Sequence, residues 1–146
     1  MDHEPPAMNE QVHVLQKSVP LIEVRIGRGL QTEEKRAIGF VLDRTSQARD
    51  EHIFVSGILG IGENPQESKW AIRQKVRVVT ETEINRRTGD AVDRGDTQEI
   101  DKLRAIRESF AAFDRQIEGR YRRGEDFSLG AIPEYFLPEW VKTCSL

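Results

Sequence analysis

Three histidines, His3, His13 and His52, and a lone cysteine, Cys144, are the side chains in this chain best suited to bind zinc or act as a nucleophile. Zinc ligands come from Cys and His at short, repeated spacings, and these four residues share no such spacing. Ser56 lies in FVSGILG, which has only part of the G-x-S-x-G pattern that exposes a catalytic serine on a sharp turn. Gly57, Gly60 and Gly62 lie close together but lack the spacing and the lysine of a phosphate-binding loop. The expected reading is no catalytic residue, no metal and no cofactor. One cationic group remains, Arg115, Arg120, Arg122 and Arg123 with Arg86 and Arg87. Arginines can contact phosphates, and Tyr121 among them could stack on a base. Glu118, Glu125 and Asp126 are interleaved with them, so a solvated helix end is the competing account.

The elements that would position these groups fall into two kinds. KWAIRQKVRVVTETEI, from Lys69 to Ile84, alternates apolar or neutral even positions with mostly charged odd ones. That pattern predicts a long strand with one dry and one wet face. Ile22, Val24 and Ile26 alternate in the same way, and HIFVSGILGIG is rich in β-branched and aromatic residues. Residues 32–46 fit helix or strand, with strand preferred from Arg36 because Gly39 costs a helix about 1 kcal/mol. NRRTGD is expected to turn the chain at Gly89. ENPQES is taken as a hairpin loop, although Asn64, Pro65 and Glu67 also match the opening of a helix.

From Asp96 the pattern changes. Leu103, Ile106, Phe110, Phe113 and Ile117 recur at spacings of three and four, the seam of an amphipathic helix. Asp96 is its expected cap with Glu99 as reciprocal partner, and Gly124 its expected end. The following tail concentrates aromatic and aliphatic residues, among them Tyr135, Phe136, Leu137 and Trp140, between prolines that prevent a long helix.

The expected fold is therefore α+β. Residues 1–10 form a disordered arm and residues 11–146 one α+β domain. Within it, an antiparallel β-meander or small sandwich of about five strands (11–93) precedes one long amphipathic helix (96–124) and an aromatic docking tail (125–146). The 146 residues can bury a real core. A net charge of −3 provides no global attraction for nucleic acid or an anionic membrane. The acidic, proline-bearing start has no apolar run, no segment approaches a membrane span, and a single cysteine suits a reducing compartment. The expected location is the cytoplasm.

Two short runs resemble known families. VPLIEVRIGRGLQTEEKRAI is similar to the first strand and helix of the tautomerase superfamily, in which an N-terminal proline amine moves protons. Pro20 is internal, so its nitrogen is an amide and carries no such role. RYRRGEDFSLG resembles the arginine and D-x-S-x-x-G elements of PilZ domains, with Asp126, Ser128 and Gly130 one residue short of the spacing. Neither likeness is carried over to function.

The expected function is non-enzymatic association: a homodimer, a higher oligomer, or an adaptor in a larger protein assembly. Leu103, Ile106, Phe110, Phe113 and Ile117 on the helix, with Tyr135, Phe136, Leu137 and Trp140 in the tail, are its candidate anchors, because aromatic residues are enriched at interfaces. Two alternatives are nucleic-acid binding through the arginines and a small-molecule or enzymatic pocket in the sheet.

Overall fold

The structure is a computed structural model that describes residues 6–45 and 50–146. Among the described residues six α-helices run α1 Pro6–Ile26, α2 Thr32–Thr45, α3 Glu51–Leu59, α4 Pro65–Arg94, α5 Thr97–Arg122 and α6 Glu139–Thr143, with a 3-10 turn at Glu134–Phe136. No strand occurs among the described residues. The expected α+β fold, with its five-stranded meander over residues 11–93, is overturned. Of the expected disordered arm, residues 6–10 belong to α1, and residues 1–5 lie outside the described residues.

The cause of the error is an ambiguity in the periodicity itself. In α4 the buried residues Ile72, Val76, Thr80 and Ile84 are four apart, the repeat of one helix face. Every member of a four-residue repeat is also an even position, so the stripe imitates strand alternation. The intervening even residues decide the matter: Val78 is 54% exposed, whereas a strand would have buried it beside its neighbours. Arg73, an odd and charged residue assigned to the wet face, is fully buried. Likewise in α1, Ile22 and Ile26 share a buried face while Val24, between them, is 82% exposed.

The chain packs as two compact units, Met1–Val76 with Leu129–Leu146, and Arg77–Ser128. At the centre of the first unit is α2. Ala37 to Leu42 are buried without interruption, as expected of a helix surrounded on all sides. Gly39 is the reason it can be surrounded so closely. A Cβ there would meet a Leu15 methyl of α1 at 3.0 Å and the Val141 methyls of α6 at 3.2 Å. The approximately 1 kcal/mol that glycine costs a helix is offset by this close approach.

The C-terminal segment completes the same unit. Leu129, Ile132, Phe136, Leu137, Trp140 and Val141 are all buried. The Trp140 indole N–H donates to Asp43 Oδ1 at 2.9 Å. Arg36 donates to the Glu134 carboxylate and to the Lys142 carbonyl. The backbone of Leu129 is held at both ends: its N–H donates to Glu34 Oε2 at 2.9 Å, and its carbonyl accepts from Arg73 at 3.2 Å.

The second unit is an antiparallel helix hairpin made from the later part of α4 and from α5. Gly95, at φ +66°, permits the tight connection, and the Asp96 carboxylate caps α5 by accepting from the Glu99 N–H at 3.1 Å. The antiparallel register follows from the pairs Arg107–Asn85 at 2.6 Å and Arg77–Asp114 at 3.9 Å. Gly89, expected in a turn, lies inside α4.

Candidate functional site

Two helices alone cannot enclose an apolar stripe from all sides, and the hairpin bears this out. Of the five seam residues on α5, Leu103 and Ile117 near its two ends are fully buried. Ile106, Phe110 and Phe113 between them are half-buried. Beside this stretch the hairpin holds a groove of about 360 Å³ lined by Glu81, Ile84 and Asn85 of α4 and by Arg107, Phe110, Ala111, Asp114, Arg115 and Glu118 of α5. Ile84, Phe110 and Ala111 supply its apolar lining, and the remaining lining residues include charges of both signs. Such a combination of apolar and charged lining suits association with another macromolecule. Among the described residues, no three His, Cys, Asp or Glu side chains are grouped so as to hold a metal ion.

The tail residues are placed elsewhere. Phe136, Leu137 and Trp140 are buried within their own unit, and Tyr135 is half-buried with its ring edge-on to Phe136 at 4.9 Å. Burial of these anchors in cis removes most of their surface from any partner.

The arginines are mostly matched to carboxylates of the same helix or the adjoining turn. Arg86 and Arg87 both reach Glu83, at 2.7 and 2.6 Å, and Glu83 is itself only 3% exposed. Arg122 pairs with Glu118, while Arg123 and Arg120 converge on Glu125 at 3.0 and 3.8 Å. The hydrogen bond from Arg123 holds the Glu125 carboxyl below its ordinary range. Arg115 lines the groove. Tyr121 packs edge-on against Phe127 with ring centroids 6.0 Å apart. Neutralised pairs of this kind offer little net positive potential to a phosphate backbone.

The other candidates for chemistry are dispersed. His3 lies outside the described residues, His13 is on α1 and His52 is an exposed residue on α3. Ser56 and Gly57 are inside α3 rather than on a turn, and Gly60 ends that helix. Cys144 is partly buried, and burial pushes its thiol upward, away from the reactive thiolate.

Sequence reasoning missed most of the groove. Ile84 and Asn85 were hidden by the strand assignment of α4. Arg107, Ala111, Asp114 and Glu118 lie one turn to the side of the seam on α5, and a helical wheel would have shown them as a neighbouring stripe. No protein-family model matches this chain, and neither a curated protein nor a solved structure does. No described helix is long and apolar enough to cross a membrane.

Proposed function

We propose that this chain is a protein-association module whose contact surface is the α4–α5 hairpin, and that it works by binding rather than by catalysis. The supporting observation is the half-covered stretch Ile106, Phe110 and Phe113 beside a groove whose lining includes charges of both signs. Partly exposed aromatic residues at the centre of a patch are favourable anchors, because covering them with a partner removes apolar surface from water. The tail is left out of the surface, since its apolar side chains are already occupied in cis. A cytoplasmic setting fits the single cysteine.

A photo-activatable amino acid placed at Ala111 in the full chain tests the reading in cells. We expect covalent capture of a protein partner at that position, with the captured band lost when Phe110→Glu is added to the same chain. Capture no greater than from the exposed Val24 position on α1, or capture indifferent to Phe110→Glu, overturns it.

A further inference from the structure

The charges beside the α5 seam are ordered. Arg104, Arg107, Phe110, Ala111, Asp114 and Glu118 follow one another at steps that keep them on one side of the helix. Arg104 and Arg107 precede the centre, Asp114 and Glu118 follow it with Arg115 between them at the edge of the groove, and the centre is an aromatic beside an alanine. We propose that the occupant of the groove is a second copy of the same hairpin, with the two α5 helices antiparallel about a two-fold axis between Phe110 and Ala111. This inference rests on the association reading above and names its partner.

A two-fold interface must be complementary to itself after rotation. In this register Arg107 of one copy faces Asp114 of the other, and the reverse, so each pair occurs twice. Phe110 of each copy lies over Ala111 of the other, placing a large side chain against a small one. Arg104 comes within one residue of Glu118. Arg115, on the flank, faces Ile106 rather than another arginine. A parallel pairing would instead set Arg107 on Arg107 and Asp114 on Asp114. The two charged groups differ in exposure within the hairpin. Arg107 is exposed and is oriented by its bond to Asn85 Oδ1. The Asp114 side chain is 23% exposed and pairs with Arg77 at 3.9 Å, so an incoming Arg107 would share this carboxylate, which can accept several donors.

The size of the face is also adequate. With 26 residues, α5 is roughly 39 Å long, and two helices side by side present on the order of 600 Å². Two copies then bury on the order of 1,200 Å² in total, the lower end for specific interfaces, which points to a micromolar dimer that dissociates on dilution.

Light scattering of the full-length protein across a micromolar dilution series tests this. The expected result is a monomer–dimer equilibrium that Arg107→Asp or Asp114→Arg alone weakens about tenfold or more, because like charges then oppose. The double variant, with both signs exchanged, should recover most of the affinity. Circular dichroism of each variant separates loss of pairing from loss of folding. Hydrogen exchange of the unmodified chain supplies a readout without mutation: protection of Arg104–Glu118 should rise with concentration. A chain that stays monomeric throughout, or a dimer indifferent to both single changes, or a double variant with no recovery, overturns the second-copy assignment. A monomer that still cross-links from position 111 to a different protein, dependent on Phe110, leaves the association reading standing. Absence of both removes both.

Discussion

Glu34 is fully buried, and both oxygens of its carboxylate accept hydrogen bonds. The Arg28 guanidinium binds both oxygens at 3.0 Å, and the N–H groups of Gln31 and Leu129 add bonds at 2.8 and 2.9 Å. Burial alone would raise its pKa, but these donors, with Arg28 the strongest, outweigh burial and hold it below the ordinary 4.5. A carboxyl whose folded pKa is depressed adds stability that is complete above its unfolded pKa and is lost as pH falls through the folded value. Acid titration followed by circular dichroism should therefore show a loss of stability that sets in below about pH 4.5. Glu34→Gln should flatten that portion of the curve. At neutral pH the same substitution should cost about 2 kcal/mol or more in urea unfolding, because the amide can satisfy fewer of the donors now pointing at it. None of this was visible in the residue string. Glu34 reads there as an ordinary first-turn acid, and the partner that matters most to the fold, Leu129, is 95 residues away.

Helix α5 was legible because its signals agree: an Asp96 cap, an apolar recurrence at three and four, and basic residues Arg120 and Arg122 in the last turn. In α4 the signals conflict. Val76, Val78, Val79 and Thr80 carry strand preference, yet the opening Asn64–Pro65–Glu67 is a helix start. In the structure the Glu67 N–H donates to Asn64 Oδ1 at 2.9 Å, and the Asn64 amide donates back to Glu67 at 2.8 Å. This local cap outranked the alternation because intrinsic preference is weak and a period of four also satisfies a period of two. Asn64→Ala should lower unfolding stability by about 1 kcal/mol, as measured by urea titration. In α1, Pro20 sits inside the helix on an exposed face and removes the N–H that would bond to the Gln16 carbonyl. Pro20→Ala should raise the thermal midpoint, since alanine restores the missing bond, with an upper bound of about 3 kcal/mol.

At the scale of the whole molecule, the return of the chain after α5 is the dominant fact. Phe136, Leu137 and Trp140 complete the first unit, so a chain ending at Ser128 should lose the sharp thermal transition of that unit and bind hydrophobic dyes, while every residue of the hairpin is retained. Dye fluorescence with calorimetry would check this, and an intact transition would show that the segment is dispensable. The groove and the ordered charges of α5 should respond to salt, since exposed pairs are screened within about 8–10 Å at physiological ionic strength. A core built from both ends of the chain also has a consequence for biosynthesis. A ribosome releases the hairpin segment before it releases the residues that pack on α1 and α2. In vectorial synthesis the later-numbered unit can therefore be complete while the earlier one still waits, its oily surfaces in the care of whatever holds nascent chains.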